Sequence, residues 1–332
     1  MHKVIKALIF LSLALIILLN IQGLLASTPE WHMINVNNRN QGDAHLLIDN
    51  GAYTLIDTGD PQQGAQYLIP YLQSLNISNI DHLFVSHPHT DHYGGMSALA
   101  DAKVTISNIY YNLPPDNSDD WNYKRAEFLK MLKHFSNQGA QLKNISKGFS
   151  LNFSNSKITV IHAQKDRSIN GKKLDINDFS LIMHWDANGF RTLFTGDLNK
   201  RLGTELAKLK HIKADILKVP HHGVSGIAPD TFFDRVDPSM LMFPSTRVLW
   251  THPRGLQARN WTLNKKTSYC HNGLNGNVVL KFGENITVSS QQESQDCPNG
   301  KLNLKPGAHL NEPNSSATLP TIIPIITSLF EE

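Results

Sequence analysis

This sequence of 332 residues has few cysteines, no block of basic residues and no internal repeats. It has only two cysteines and no CxxC pair, so a cysteine-based zinc site is not indicated. Lysine and arginine are scattered and the formal net charge is +3, so there is no basic block of the kind that binds nucleic acid as a tail. Internal repeats are absent, which excludes repeat architectures. What remains is the composition of an ordinary globular protein with a substantial core.

Long apolar runs are also scarce, with one exception near the N-terminus. Two lysines and a histidine in residues 1–6 precede an uncharged apolar run from Ala7 to Leu19, which is the layout of a secretory signal peptide. The run is short for a membrane span, so we expect cleavage near Ala26, with an uncleaved anchor over residues 1–26 as the alternative. Either reading places the rest of the chain in the periplasm or outside the cell. Membrane contact is then expected only through an uncleaved N-terminal segment.

The two cysteines gain meaning from this expectation of export. An oxidising compartment would favour a disulfide between Cys270 and Cys297, joining the last strands to the C-terminal segment. Two unpaired thiols remain the alternative, because the sequence does not give the distance between them.

Apolar patterning predicts strands and helices in alternation. Residues 45–60 contain two strands that meet at Asp49-Asn50-Gly51, and residues 179–197 contain two more that meet at Asn188-Gly189. Other short apolar runs alternate with segments whose apolar residues recur at helical spacing. This order predicts an α/β sandwich with sheets inside and helices outside.

The domain limits follow from a change in composition. We expect a single domain over residues 28–290. After about residue 290 the chain becomes rich in Asn, Ser, Pro and Gln. Residues 291–332 are therefore predicted to form a low-order C-terminal tail.

The loop SHPHTDHYGG, residues 86–95, holds four side chains that can bind metals. His87 and His89 are two residues apart and can direct both imidazoles to one ion. Asp91 and His92 then point toward a second ion beside the first. Such dense spacing predicts a site for two divalent metal ions.

Two other strand ends supply further ligands. Asp197 closes the apolar strand LFTGD and can bridge two ions, while His221 or His222 follows the strand in DILKVPHHG. All three elements place their ligands at the C-terminal edge of strands, where α/β sheets carry active sites. The predicted metal ligands are His87, His89, Asp91, His92, Asp197, His221 and His222.

Together these motifs resemble the metallo-β-lactamase superfamily, and more closely the ComEC-like extracytoplasmic hydrolase domains of DNA-uptake proteins. The similarity extends over roughly residues 33–285 and keeps the family's motif order. It implies an αββα sandwich of two mixed sheets flanked by helices, and hydrolysis by a metal-bound hydroxide. The matching segments are QGDAHLL (41–47), TLIDTGD (54–60), SHPHTDHYGG (86–95), NDFSLIM (177–183), LFTGD (193–197) and ADILKVPHHG (214–223).

One departure from the β-lactamases themselves affects the expected metal. Those enzymes carry a further histidine between HxHxDH and the later aspartate, where this chain has only His162. ComEC-like domains resemble this chain in lacking that histidine and in having an Asn-x-x-Ser element, here Asn177 and Ser180. The difference disfavours antibiotic hydrolysis and leaves one ion with fewer ligands. We expect Zn²⁺, with Mn²⁺ as the alternative.

Roles beyond metal binding are expected for six side chains. Asp91 and His222 are expected to take part in catalysis, and whichever of His221 and His222 is not a ligand could hydrogen-bond the phosphoryl or acyl oxygen. Asp43 and Asp57 are expected to orient histidines or to shape the turn near the metals. His252, in a late His-Pro pair, could line the pocket.

These features predict an exported phosphodiesterase that cleaves small-molecule or nucleic-acid phosphodiesters, because two metals suit phosphoryl charge. The alternatives are a lactamase- or lactonase-type hydrolase of C–N or C–O bonds, and a non-catalytic metal-dependent binding module. A groove of lysine and arginine beside the metals would favour the phosphodiesterase, and a closed apolar pocket would favour the lactamase type. No stable protein partner is implied.

Overall fold

The computed structural model describes residues 27–36, 40–116 and 118–310. The predicted signal peptide or anchor, residues 1–26, lies outside the described residues. Within the described ranges, no helix is long and apolar enough to cross a membrane.

The hairpin predicted at residues 45–60 forms and lies inside a nine-stranded mixed sheet. Its turn residues Asn50 and Gly51 have φ of 51° and 81°, the left-handed geometry that matches a tight hairpin to the twist of its strands. The spatial order is β18-β17-β16-β1-β2-β3-β4-β5-β6, with parallel pairing from β3 to β6. The strands are β1 (Glu30–Met33), β2 (His45–Asp49), β3 (Ala52–Ile56), β4 (Asn79–Phe84), β5 (Thr105–Tyr111), β6 (Gln141–Asn144), β16 (Val278–Phe282), β17 (Ile286–Ser290) and β18 (Gly300–Leu302).

The second predicted hairpin, at residues 179–197, also forms and lies inside a seven-stranded mixed sheet. The order is β15-β14-β13-β12-β11-β8-β7, with parallel pairing from β12 to β15. A separate two-stranded ribbon consists of β9 (Ser168–Ile169) and β10 (Lys172–Lys173). The sheet strands are β7 (Ser150–Asn152), β8 (Ser156–His162), β11 (Ile182–Ala187), β12 (Phe190–Phe194), β13 (Ile216–Lys218), β14 (Met240–Phe243) and β15 (Ser268–His271).

Helices cover the outer faces of both sheets. Between α1 and α2 the chain makes a π-helical segment, Gly64–Leu68, whose wider turns join the two helices into one continuous helical run. Pro70 lies in the first turn of α2, where its missing N–H is tolerated. The helices are α1 (Pro61–Gln63), α2 (Ile69–Ser74), α3 (Thr90–Tyr93), α4 (Met96–Asp101), α5 (Arg125–Asn137), α6 (Lys200–Leu206), α7 (Asp230–Val236), α8 (Arg247–Thr251), α9 (Leu256–Lys265) and α10 (Asn272–Asn275).

Three apolar cores hold these layers together. Trp31 and Trp185 lie in the core between the two sheets. Phe128 of α5 packs in a second core against the outer face of the first sheet, and Phe232 of α7 packs in a third against the second sheet. Each such side chain contributes about 1.5–3 kcal/mol by leaving water. The layer order confirms the expected αββα sandwich of two mixed sheets flanked by helices.

The segment after residue 290 is more ordered than its composition indicates. Cys270 in β15 and Cys297 form a disulfide, so the favoured pairing is confirmed. Beyond it, β18 pairs antiparallel with β17, and His309 Nδ1 lies 2.9 Å from Asp215 Oδ2. The boundary predicted at residue 290 is therefore too early, because a covalent link and a strand pairing, neither visible in composition, hold residues 291–310. For residues 311–332, outside the described ranges, the tail stays a prediction.

Candidate metal centre

Two histidines in the loop after β4 direct ring nitrogens toward each other. His87 Nε2 and His89 Nδ1 lie 3.1 Å apart, and both rings are buried. Their other nitrogens have partners of their own, since Ser86 Oγ lies 3.1 Å from His87 Nδ1 and Asp120 Oδ2 lies 2.9 Å from His89 Nε2. Partners on the far side of the ring orient histidine ligands, so the facing nitrogens are the ones placed to share an ion.

A second group gathers four side chains from three loops. Asp91 and His92 follow β4, Asp197 follows β12, and His222 follows β13. One ligand atom from each lies within 4.8 Å of the others. Asp197 Oδ2 is 3.2 Å from Nε2 of both His92 and His222, and His222 Nε2 is 3.5 Å from Asp91 Oδ2. The Asp197 carboxylate thus stands at the middle of the group.

The two histidines of this second group are held by buried carboxylates. Asp57 Oδ2 lies 2.8 Å from His92 Nδ1, and Asp43 Oδ1 lies 3.0 Å from His222 Nδ1. The Asp57 contact fixes the His92 imidazole so that Nε2 faces the group. His222 Nδ1 has the Pro244 carbonyl oxygen, 3.1 Å away, as its hydrogen-bond partner, and Asp43 forms an ion pair with the same ring. These contacts agree with the orienting role expected for Asp43 and Asp57, which stays a prediction.

Asp43 is itself balanced by a buried lysine. Lys218 of β13 forms an ion pair with Asp43, and its Nζ donates a hydrogen bond to the Gly196 carbonyl at 2.8 Å. The same Nζ lies 3.9 Å from Asp197 Oδ1. Burial opposes ionisation of Asp43, but the Lys218 and His222 charges hold its pKa well below the usual range.

The charge of the group favours a cation. Burial disfavours a charged imidazole, yet the carboxylates around His92, chiefly Asp197, raise its pKa well above the usual range. His222 behaves alike, because Asp197 and Asp43 outweigh its burial. His87, where burial dominates and His92 adds repulsion, has its pKa lowered well below the usual range. Protons therefore balance the carboxylates here, and a metal ion can displace them.

The residues also fit a metal by their donor atoms. Nε2 of His92, Nε2 of His222 and Oδ1 of Asp197 are buried and make no hydrogen bond. Buried polar atoms normally have partners, so three orphaned atoms in one place call for another ligand. Imidazole nitrogens and carboxylate oxygens are ligands that divalent metals use in proteins. The His/Asp groups can hold a metal ion.

The backbone of the ligand loops is strained. Asp57 has φ of 61°, and His221 and His222 have φ of 45° and 52°, all in the left-handed region that favours glycine. Each such residue costs about 1–3 kcal/mol and persists only where its surroundings enforce it. Two of these residues, His221 and His222, are candidate ligands, so part of the backbone strain of the chain falls on the site itself.

The structure brings all seven predicted ligands to one edge of the sandwich, where the parallel strands of both sheets end. Between the two histidines left open by the sequence, His222 joins the second group. His221 is more exposed, its Nε2 lies 3.8 Å from Asp197 Oδ2, and its Nδ1 has no hydrogen-bond partner. Metal ligation by each residue, and catalysis by Asp91 and His222, stay predictions.

Sequence reasoning missed three contributors. Lys218 could have been found from the sequence, because a lysine at the end of an apolar strand needs a buried partner. Nothing in the sequence indicates the roles of Asp120 and Asn122. They lie on an irregular loop, yet Asp120 holds His89 and Asn122 Nδ2 donates to Asp91 Oδ1 at 2.9 Å.

Two other residues singled out by the sequence have simpler places. Ser180 Oγ accepts a hydrogen bond from the Asp197 backbone N–H at 3.0 Å, which fixes the loop that carries Asp197. His252 is exposed and accepts a hydrogen bond from the Arg254 N–H at the start of a short helical turn, and its place in the pocket stays a prediction.

A cavity of about 800 Å³ adjoins the centre. Asp120 lines it while holding His89, so the cavity and the ligand loop share a wall. Basic and acidic side chains both line it, and four of the basic ones, Lys172, Lys173, Lys200 and Arg201, form no ion pair within the described part of the chain. The charged lining residues are Arg167, Lys172, Lys173, Lys200 and Arg201 among the basic ones, and Asp119, Asp120, Asp175, Asp178 and Glu205 among the acidic ones.

Comparison with known proteins agrees with this geometry. A family model described as the metallo-beta-lactamase superfamily matches residues 37–153. The matched residues include the histidine loop, residues 86–95. Members of this superfamily are mostly hydrolases.

Curated relatives of this superfamily domain are ComEC-like proteins. "ComE operon protein 3" of Bacillus subtilis is 26% identical over 244 residues, covering 67% of this chain and 29% of that protein. "Competence protein ComA" of Neisseria gonorrhoeae is 25% identical over 197 residues, covering 58% of this chain and 23% of that protein. The chain thus matches less than a third of the length of either relative. The predicted ComEC-like resemblance is confirmed.

A solved structure supports the fold of the domain. The diiron beta-hydroxylase CmlA from Streptomyces venezuelae superposes with a TM-score of 0.51 and 10% sequence identity, covering 77% of this chain and 54% of that one. At this identity the similarity concerns the fold alone.

Proposed function

We propose that this chain is an exported phosphodiesterase that uses two divalent metal ions. The observation that carries the choice of bond is the cavity that shares Asp120 with the ligand loop, where Lys172, Lys173, Lys200 and Arg201 form no ion pair within the described residues. A phosphodiester keeps a negative charge at every ordinary pH, whereas a lactam or lactone needs no positive charge beside it. Lysine and arginine in this cavity therefore favour phosphoryl transfer.

The side chains divide the work by position. His87 and His89 would hold one ion, Asp91, His92 and His222 the other, and Asp197 would lie between them. When bound, two divalent ions lower the pKa of a coordinated water and polarise the phosphoryl group. We expect Zn²⁺ from the histidine-rich donor set, with Mn²⁺ as the alternative.

The chain's own groups then orient and stabilise the substrate. His221 keeps part of its ring at the surface, so it can donate a hydrogen bond to a phosphoryl oxygen. Asn122 donates a hydrogen bond to the Asp91 carboxylate and fixes its position. The Asp57 carboxylate beside His92 and the Pro244 carbonyl beside His222 accept hydrogen bonds from Nδ1, which would leave Nε2 unprotonated when a metal binds.

Two features support action outside the cytoplasm. The N-terminal sequence has the layout of a signal peptide or anchor. The Cys270–Cys297 disulfide suits an oxidising compartment. The substrate would be a small-molecule or nucleic-acid phosphodiester, with no stable protein partner.

The test is hydrolysis of bis-p-nitrophenyl phosphate by protein stripped of metal and reloaded with Zn²⁺ or Mn²⁺. We expect turnover that depends on metal, binding of about two ions per chain by elemental analysis, and loss of at least about a hundredfold in Asp91→Ala. The variant controls for contaminating phosphatases. Metal-loaded protein that cleaves nitrocefin or a lactone but no phosphodiester would overturn the proposal.

A further inference from the structure

One loop between β5 and α5 contacts a predicted ligand of each metal ion. We call residues 118–124 of this connection the clamp loop. Asp120 Oδ2 lies 2.9 Å from His89 Nε2, and Asn122 Nδ2 donates a hydrogen bond to Asp91 Oδ1 at 2.9 Å. His89 is proposed to hold one ion and Asp91 the other. The clamp loop therefore reaches both halves of the centre with side chains that are two residues apart.

The two contacts are joined inside the clamp loop. While Oδ2 of Asp120 faces His89, its Oδ1 accepts hydrogen bonds from the backbone N–H groups of Asn122 at 2.9 Å and Tyr123 at 2.8 Å. The Asp120 carboxylate thus holds the backbone that carries the Asn122 side chain. A continuous path of hydrogen bonds runs from His89 through Asp120 and Asn122 to Asp91.

This path closes into a ring through the ligand loop. The Asn122 carbonyl oxygen accepts hydrogen bonds from the Thr90 N–H at 3.3 Å and from the Thr90 hydroxyl at 3.0 Å. Thr90 lies between His89 and Asp91 in the chain. Tyr123, which is fully buried in the core outside the first sheet, fixes the base of the clamp loop. A change at either ligand is therefore transmitted to the other within one small, anchored ring.

Trp121 lies between the two contact residues but takes no part in the ring through its side chain. It is 87% exposed, and its contact with the centre is that of its ring with the His89 ring, 6.2 Å away. A substitution at this position changes the clamp loop and leaves the side chains of the hydrogen-bond ring in place. Trp121 therefore supplies a matched control.

An ion at one site should prepare the other site through this ring. An ion on Nδ1 of His89 leaves the ring proton on Nε2, which then donates to the Asp120 carboxylate. With Asp120 fixed, Asn122 is held in the position in which it orients Asp91. The conformational entropy of ordering these groups is then already lost when the next ion arrives, and the effect has the same size in the reverse order of binding.

We propose that Asp120 and Asn122 are positioning residues that couple the two metal sites, so that the first ion bound raises the affinity for the second. Couplings of this kind typically change affinity by about 5–150-fold. Direct repulsion between two cations opposes the coupling, so the contribution of the clamp loop must be measured by comparing variants. This inference rests on the proposed two-metal function and concerns two residues outside the metal-binding motifs.

The test is calorimetric titration of the metal-free full chain with Zn²⁺ in competition with a chelator, which gives the overall constant for binding both ions. Asp120→Asn keeps an oxygen for the loop backbone but turns an amide donor toward His89, and Asn122→Ala removes the donor to Asp91. We expect each variant to lower the overall constant about 50-fold or more, because an orienting contact and the coupling are both lost. Trp121→Ala should stay within about twofold of wild type.

The double variant, Asp120→Asn with Asn122→Ala, decides between coupled and independent sites. Since the coupling can be lost only once, the loss in the double variant should fall short of the product of the two single losses by at least about fivefold. The proposal is overturned if the two single losses multiply, if Trp121→Ala binds as weakly as either variant, or if melting temperatures fall as much in EDTA as in Zn²⁺, which would indicate a purely structural role. The titration measures binding alone, so a lack of bis-p-nitrophenyl phosphate turnover in protein that binds two ions with coupling would count against the phosphodiesterase alone.

Discussion

The two halves of the molecule deliver a carboxylate to the centre in nearly the same way and then use it differently. In the first half the hairpin β2–β3 ends in TLIDTGD, which contains Asp57, and in the second the hairpin β11–β12 ends in TLFTGD, which contains Asp197. Asp57 is saturated: it accepts bonds from the Ser86 N–H and hydroxyl, both at 2.7 Å, and contacts His92. Asp197 keeps an unpartnered Oδ1. The TGD aspartate of the first half is Asp60, which caps α1, so the orienting carboxylate Asp57 and the candidate ligand Asp197 lie at different positions after their hairpins.

The strands that follow the hairpins differ as well. β4 leads into the histidine loop without a buried charge of its own, whereas β13 carries Lys218 into the interior, 1% exposed. The positive charge of Lys218 balances the Asp43 carboxylate and lies 3.9 Å from Asp197 Oδ1. The second half therefore supplies both the central carboxylate, Asp197, and a buried cation beside it. The electrostatic balance of the centre therefore depends chiefly on the second half.

The largest effect should come from removing that lysine. Lys218→Met keeps the volume but leaves Asp43 without its partner, and breaking a buried ion pair costs about 3–5 kcal/mol of unfolding free energy. Urea denaturation in EDTA measures it. The matched control is Lys281→Met in β16, a strand of the nine-stranded sheet. Lys281 Nζ lies 2.7 Å from Glu30 Oε1, and because the lysine side chain is exposed this ion pair is worth less than about 1 kcal/mol.

A second substitution sharpens this result. Lys218→Met combined with Asp43→Asn removes both charges and should recover part of the loss, because no uncompensated carboxylate remains in the interior. Equal stability losses in Lys218→Met and Lys281→Met would contradict the asymmetry between the halves.

Much of the fold followed from the sequence because its signals are local. The Asn-Gly turns at residues 50–51 and 188–189 predict both hairpins, and short apolar runs predict the strands that follow them. The order past residue 290 had no local signal, since it depends on the Cys270–Cys297 bond and on β18 pairing with a strand already in place.

The residues of the candidate site can be divided in the same way, into those with local sequence signals and those that depend on contacts distant in sequence. Its seven predicted ligands come from dense motifs at strand ends, which the sequence displays directly. The roles of Asp120, Asn122 and Lys218 depend on contacts between segments far apart in the chain, where no spacing rule applies. The choice between His221 and His222 likewise needed the left-handed backbone of that loop.

The next largest effect distinguishes Asp57 from Asp197 by how the activity of each variant depends on metal concentration. Asp197→Asn should lower bis-p-nitrophenyl phosphate hydrolysis by at least about a hundredfold, because the carboxylate would itself be a ligand. Asp57→Asn should weaken metal affinity by about 10–100-fold, as removal of orienting partners does. Raising the metal concentration should then restore much of the Asp57→Asn activity and little of the Asp197→Asn activity. Activity assays across a metal titration, with metal-induced shifts in melting temperature as a second readout, distinguish the two. The same response in both variants would mean that the two carboxylates have one role.

The smallest effect concerns Asp178, a buried carboxylate of the second half whose Oδ1 makes no hydrogen bond. Because burial and Asp175 raise the pKa of Asp178 to about 7, its ionisation opposes folding, and the wild type loses stability as the pH rises from about 4 through 7. Asp178→Asn should therefore gain about 1 kcal/mol of unfolding free energy at pH 8 and little at pH 5. The gain falls short of the full linkage because the amide is itself a buried polar group. Asp49, a buried carboxylate of the first half that accepts bonds from the Asn155 N–H and the Ser156 hydroxyl, is the matched control. Asp49→Asn should lose stability at both pH values in urea denaturation.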